Sequence, residues 1–370
     1  MKITCTKENL ASALSLVSGV ATKNINLPIL NNVLIKADSQ KVEIISTNLE
    51  LAIIVNIRSI VEKPGSFTVP ARTLTDFINL LPDEKIELEL KDNEMQITCG
   101  HSATKIKGSP ADEFPIIPAA DGNNGFLVET AEFKKGLSQV LPAVAKNDIR
   151  PELSGISFNF DENELIMAAT DSYRLAEKKI KLSQGKEKIK IIVPGRTAQE
   201  INHILSFNTL ENEKNVRILL SENQIVINYD SVQLISRLVE GQYPDYVQII
   251  PKDFKTTAEF SLSKIIKEIK AASLFSTSGV NGINFDLEND KSIIKISSMS
   301  TQTGEYNSEA EANIKGENNS ILMNFRYILD GLNNLDGDTG ILQMINGNSP
   351  CIISSKDDAK YLYIVMPIRK

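Results

Sequence analysis

Apolar residues recur with helical spacing at three places in the chain. Near its start, Leu10, Leu14, Val17 and Ala21 form one face of a helix. The same spacing returns at Phe133, Leu137, Val140 and Val144, and a similar one at Leu262, Ile266, Ile269 and Ala272. These faces predict helices over about 7–23, 131–148 and 261–276, with Pro142 kinking or stopping the second early. Each is followed by alternating apolar and polar residues around a polar turn, the grammar of a hairpin. The three versions are LPILNNVLIKADSQKVEIISTNLELA, RPELSGISFNFDENELIMAATDSYRLA and GVNGINFDLENDKSIIKISSMSTQTGEY, with Thr47 and Thr170 in the same place.

A second helix follows in each part. FTVPARTLTDFINLLPD and IIVPGRTAQEINHIL share a strand, a Val-Pro turn and an Arg-Thr helix start. SILMNFRYILDGLNNLD keeps the apolar spacing at Ile328, Leu332 and Leu335 without the Val-Pro, so that Arg72, Arg196 and Arg326 correspond. A period of this length describes whole domains rather than solenoid repeats. The chain therefore divides into units over 1–121, 125–252 and 253–370, the first two ending in DEFPIIP and GQYPDYVQIIP. Two helices and many strands per unit predict an α+β fold with mainly antiparallel sheet.

Composition changes little in this picture. Of 370 residues, 42% are hydrophobic and 24% charged, as in globular proteins, and no apolar run is long enough to span a bilayer. MKITCTKENL lacks the apolar core of a signal peptide, and Cys5, Cys99 and Cys351 form no pairing framework, so a reduced, cytoplasmic protein is expected. The net charge of −7 argues against a wholly basic nucleic-acid binder but leaves room for one basic surface. The first helices carry Lys7, Lys23, Lys134, Lys135, Lys146, Lys264, Lys267 and Lys270, more cations than anions. Charge alone fits two readings: solvated helix faces, or equivalent helices presenting cations to a polyanion.

No catalytic constellation emerges. His101 and His203 stand apart with no zinc-ligand spacing, and no phosphate-binding glycine loop is present. Two SxxK matches, at Ser102–Lys105 and Ser261–Lys264, lack the further motifs that serine acylases need. Asp336-Gly337-Asp338 lacks the rest of a calcium loop. A noncatalytic protein without metal or cofactor is expected, the alternative being a triplicated scaffold, catalytic or not, for a small ligand.

Together, VPAR, TDSYRLA, YPDY and the terminal YIVMPIRK resemble the bacterial DNA polymerase III β subunit family, the sliding clamps, over essentially the whole chain. The resemblance implies a head-to-tail homodimeric ring of six domains that encircles duplex DNA without reading sequence. Its implied partners are the DNA polymerase III catalytic subunit, the clamp loader and other clamp-motif proteins of replication and repair, with no membrane. It implies a hydrophobic cleft for partner peptides between the second and third domains. The cleft is carried over to Leu153, Thr170, Ser172, Tyr173, Arg174, Leu175, Pro244 and Ile249, with Tyr327, Asn348, Pro350, Ile364, Met366, Pro367, Ile368 and Arg369. DNA-facing positions are Lys23, Asn24, Arg72, Lys134, Lys135, Lys146, Asn147, Arg150, Arg196, Lys264, Lys267 and Lys270. The dimer seam is expected to join Lys105, Ile106 and Lys107 to Leu274, Glu305, Glu309 and Glu311, with Ile106 near Leu274. The chain departs from the family pattern at Pro151 and Glu152, where a DNA-facing loop often has aromatics, at Ser172 for a common glycine, and at Gln248 for a common basic residue.

Overall fold

The computed structural model describes residues 1–21, 26–117, 124–146, 149–185, 187–207 and 213–369. Six helices are present among them: α1 (Lys7–Val17), α2 (Ala71–Leu80), α3 (Thr130–Val140), α4 (Gly195–Leu205), α5 (Leu262–Ser273) and α6 (Phe325–Leu332). The chain forms two compact units, each assembled from separate stretches. One comprises Met1–Lys134, Leu182–Glu187 and Arg196–Leu238; the other comprises Lys135–Lys181, Lys188–Gly195 and Val239–Lys370.

The first unit contains two antiparallel sheets. In the smaller, Lys2–Thr6 lies between Ser59–Lys63 and Lys85–Lys91, followed by Glu94–Cys99 and the edge strand Ser102–Lys107. In the larger, the meander Asn32–Ala37, Val42–Thr47 and Leu51–Ile57 continues through Val232–Arg237. The second unit repeats this arrangement. Its meander Gly155–Asp161, Glu164–Thr170 and the 174–181 part of Arg174–Gln184 pairs, through Arg174–Lys178, with the last strand, Tyr361–Val365. A further meander, Gly282–Glu288, Ile293–Ser300 and Gly304–Gly316, lies beneath α5, while α6 packs against Asn319–Asn324 and Tyr361–Val365.

The tight loop inside the first two meanders is built identically. The Thr47 hydroxyl donates to the Leu51 carbonyl at 3.0 Å and accepts from the Leu49 N–H at 3.1 Å. The Thr170 hydroxyl donates to the Arg174 carbonyl at 2.6 Å and accepts from the Ser172 N–H at 3.1 Å. Asn48 and Asp171 each accept two further backbone N–H groups, so local side chains satisfy the loop. Leu49 and Ser172 both sit at φ +76, where a side chain is strained.

The helices lie where the apolar spacing placed them but are shorter. α1 stops at Val17 before Ser18-Gly19, both poorer helix formers, rather than at 23. α3 stops at Val140 and passes into a 3₁₀ turn, Leu141–Ala143, rather than reaching 148. Pro142 brings this about: its missing N–H and the restriction on the residue before it end an α-helix. α5 ends at Ser273 rather than 276, and buries Leu262, Ile265, Ile269 and Ala272. Ile265, not Ile266, therefore belongs to the core face.

Candidate functional site

In the second unit, the residues attributed to the cleft gather around the Thr170–Arg174 loop. Arg174 is only 6% exposed. Its Nε donates to Asp171 at 3.0 Å, its Nη1 to Asp330 on α6, and its guanidinium carbon lies 4.5 Å from the Tyr327 ring centroid. Burial works against this charge, but Tyr363, Asp330 and Asp171 outweigh it and raise the Arg174 pKa. The cation is thus a fixed structural post. Tyr173, 62% exposed, stacks on Tyr327 at 6.2 Å with the rings 19° apart. A rigid aromatic surface results, open to solvent on one side.

The chain end runs past this surface. Val365 is the register partner of Arg174 and Ile364 that of Leu175; the Met366 N–H then donates to the Tyr173 carbonyl at 2.9 Å. The Ile368 N–H donates to the Leu322 carbonyl at 2.8 Å, which lays the last residues along strand Asn319–Asn324. Leu175, Ile352 and Ile364 form a buried cluster, against which Tyr246, Ile250, Phe254 and Leu362 pack.

The segment carrying Pro244 and Ile249 is tied down by two phenols. The Tyr243 hydroxyl accepts from the Thr170 N–H at 2.9 Å, and that of Tyr246 donates to Glu177 at 2.5 Å. Burial raises both tyrosine pKa values, and the Glu177 carboxylate raises that of Tyr246 further. The 3₁₀ turn Tyr246–Ile249 leaves Val247, Gln248 and Ile249 exposed, with Gln248 donating to Asp245 at 2.8 Å.

Thr170, Ser172, Tyr173, Arg174, Leu175, Tyr327, Ile364 and Met366 are therefore linked directly. Pro350, Pro367 and Ile368 are half-buried, Asn348 and Arg369 are exposed, and Leu153 is buried in its own turn, Pro151–Leu153. Sequence reasoning missed Asp171, Asp330, Tyr243, Tyr246 and Glu177. YPDY itself contains both tyrosines, but their partners lie 69 residues or more away.

The cations attributed to DNA have varied surroundings. Arg72 is exposed and 3.6 Å from Asp76; Arg196 is exposed and donates to the Gly19 carbonyl at 3.3 Å. Lys264, Lys267 and Lys270 are all exposed on the face of α5 opposite its core side chains, Lys264 lying 3.8 Å from Glu311. Lys146 and Arg150 are exposed, the latter 3.3 Å from Glu152, and Lys134 is half-buried. Lys135 departs from expectation: Asp336 and Asp358 hold its ammonium in an ion-pair cluster, so it is not a free phosphate ligand. Lys23, Asn24 and Asn147 lie outside the described residues.

The seam residues divide similarly. Lys105 and Lys107 are exposed on the edge strand, and Glu305, Glu309 and Glu311 are exposed on alternate positions of Gly304–Gly316. Leu274 is 71% exposed after α5. Ile106 does not join them: strand alternation turns it inward, in register with the buried Met95, and it belongs to its own unit's core. The backbone edges on which these charges sit are open. Among the described residues, Ser102–Lys107 has a neighbour on one side only, and 304–311 pairs only with Ile293–Ser300.

Among the described residues no group of His, Cys, Asp and Glu is placed to hold a metal, and no helix is long and apolar enough to cross a membrane. Both histidines are exposed. All three cysteines are free and buried, and burial pushes the Cys5 and Cys351 thiols up to about 12, far from reactive thiolates.

Three family models match in succession, described as the N-terminal, central and C-terminal domains of the DNA polymerase III beta subunit, over residues 1–118, 127–245 and 247–369. The beta sliding clamps of Staphylococcus aureus and Staphylococcus epidermidis are each 30% identical over 353 residues, covering 93% of this chain and 92% of theirs. Among solved structures, the Bacillus subtilis DNA polymerase sliding clamp superposes with a TM-score of 0.94 at 27% identity, over 100% of this chain and 99% of that one. The Thermotoga maritima DNA polymerase III beta subunit gives 0.93 at 26% identity, with the same coverage. With three family domains matched in succession along the chain, the small-ligand scaffold falls away as an alternative. The chain belongs to the DNA polymerase III beta subunit family, the bacterial sliding clamps, and is a noncatalytic processivity factor of the replicative polymerase.

Proposed function

We propose that two copies of this chain close head to tail into a ring that encircles duplex DNA in the cytoplasm and slides along it. The observation that carries the ring is the pair of open strand edges of opposite charge, basic at Lys105 and Lys107, acidic at Glu305, Glu309 and Glu311. A contact between two different patches of one chain is heterologous, and it closes only when its rotation is right. Two copies of three units over 1–121, 125–252 and 253–370 satisfy that condition as a pseudo-sixfold ring. The matched family ranges, 1–118, 127–245 and 247–369, support these boundaries. Backbone pairing along the seam supplies adhesion, Leu274 adds apolar contact, and the charges steer docking.

Arg72, Arg196 and the Lys264–Lys267–Lys270 face supply spread-out phosphate attraction, with Lys146 and Arg150 as further contacts. Scattered cations suit sliding, since a dense cluster would grip and be strongly salt-dependent. Polymerase, clamp loader and other motif-bearing proteins of replication and repair insert a short apolar motif into the cleft. Its walls are Tyr173, Leu175, Pro244, Ile249, Tyr327, Ile364 and Met366, its rim Thr170, Ser172 and Arg174, and Leu153, Asn348, Pro350, Pro367, Ile368 and Arg369 border it. Light scattering tests the assembly: the mass should be twice the 40.8 kDa chain, and a stable monomer at micromolar concentration would contradict the ring.

A further inference from the structure

The two meander junctions, one in each unit, are built to one plan but filled with opposite chemistry. In the first unit, Leu51–Ile57 pairs with Val232–Arg237, Val55 lying opposite Val232, and the Asn56 N–H donates to the Ser231 carbonyl at 2.9 Å. In the second, Lys178 lies opposite Tyr361, and the Lys179 N–H donates to the Lys360 carbonyl at 3.1 Å. These registers align Val55 with Lys178 and Tyr229 with Asp358; helical position aligns Leu16 with Gln139 and Ser12 with Lys135.

In the first junction the equivalent positions carry no charge: Leu16, Val55 and Tyr229 are all buried, beside an open cavity of about 390 Å3 whose rim includes Glu8, Asn9, Arg58 and Asp230. The second is ionic. Lys178 and Asp358 are only 2% and 7% exposed, with Nζ–Oδ distances of 2.5 and 2.7 Å. Buried Gln139 donates to the same carboxylate at 3.0 Å, and Lys135 approaches it at 3.4 Å.

Backbone ladders carry no address, so the donor strand Tyr361–Val365 fits the edge Leu51–Ile57 as well as its own. Side chains must separate the two. We propose that the buried Lys178–Asp358 pair is a pairing selector, directing the last strand to the second meander rather than to the first meander of its own or another chain. Wrong docking would place the Asp358 carboxylate against Val55 and Leu16, and would leave Lys178 facing Tyr229. Each error buries an unpaired charge, which is more costly than a correct ion pair is stabilising. Apolar residues at both junctions would pack well and discriminate poorly.

The test is the double substitution Lys178→Val with Asp358→Tyr, which copies the first junction into the second. The full-length chain also carries Ile54→Cys and Leu362→Cys, which come opposite each other only in the wrong register, because Leu362 pairs with Glu177 and Ile54 with Gln233. Protein is unfolded in urea, refolded under reduction and then oxidised. The selector predicts a several-fold rise in disulfide-linked two-chain species over the parent with the same two cysteines, and a urea midpoint near the parent's. Lys178→Met with Asp358→Leu should behave alike. Unchanged linkage in folded double variants would overturn the proposal. So would failure of both pairs to fold, which would make the ion pair a source of stability rather than of address.

Discussion

Met366 is fixed to Tyr173 through the main chain: its N–H donates to the Tyr173 carbonyl at 2.9 Å, beside the Tyr173–Tyr327 stack. A residue close to the chain end is thereby held beside that stack, where the cleft is proposed, while its side chain stays half-buried. Because the anchor is backbone, Met366→Ala should leave the path of the chain intact and remove only apolar contact. Burial of one such side chain is worth roughly 1.5–3 kcal/mol. Affinity for a labelled clamp-motif peptide should fall about tenfold or more, since about 1.4 kcal/mol is one decade. Fluorescence anisotropy measures this, and light scattering should show an unchanged mass. Undiminished affinity would remove Met366 from the cleft.

Leu49 adopts φ +76 in a loop that is otherwise fully hydrogen-bonded. A left-handed conformation costs a side chain roughly 1–2 kcal/mol, of which glycine's extra freedom in the unfolded chain cancels part. Leu49→Gly should therefore stabilise the chain by roughly 0.5–1 kcal/mol. Urea unfolding reads this directly. Ser172 shares the conformation but borders the proposed cleft, so Leu49 isolates the backbone effect.

Asp358 makes stability depend on acid. Burial alone would raise its pKa, but the hydrogen bonds from Lys178 and Gln139 and the charges of Lys178 and Lys135 outweigh burial and lower it. A depressed carboxylate contributes stability that is present above its unfolded pKa, about 3.9, and is lost as pH falls through the lower folded value. Asp358→Asn leaves the Lys178 ammonium buried without its partner, so about 3–5 kcal/mol should be lost at neutral pH. Its urea midpoint should also fall less than the parent's between neutral pH and pH about 2. A parallel acid profile would show that Asp358 does not titrate with folding.

The threefold plan was legible in the sequence because apolar spacing survives where identity does not: Leu10, Phe133 and Leu262 each begin a buried helical face. The helix ends were less legible. Spacing continues past Val17 through Ala21, but Ser18-Gly19 decides where the helix stops. Ile106 reads as a seam residue until the sheet is assembled, and nothing local marks Lys178 as buried before the Tyr361 strand covers it. The site around Arg174, from which the cleft is proposed, was legible as a family pattern in TDSYRLA and MPIR. Its rigidity was not: Arg174 is held by Asp330, 156 residues away, and Tyr246 by Glu177, 69 away, pairings that no local pattern encodes.

The proposed seam is electrostatically polar, and this gives it a direction. Lys105→Glu with Lys107→Glu should weaken dimerisation, seen as a rise in the monomer fraction on dilution. Reversing Glu305 and Glu309 to Lys in the same chain should restore dimer mass in part. The parent should dimerise more slowly at high salt, because rim charges act chiefly on association rate. Dimerisation indifferent to all four charges would place the seam elsewhere.

The central claim is topological, and a measurement on DNA with and without ends addresses it most directly. The protein is loaded onto nicked circular plasmid by the clamp loader proposed as its partner and passed through gel filtration, and the plasmid is then cut once. Encirclement predicts that protein co-elutes with the circle and is released by linearisation, since sliding off an end breaks no strong contact. Equal retention on circular and linear DNA would mean that the protein grips the duplex directly, and would contradict the ring.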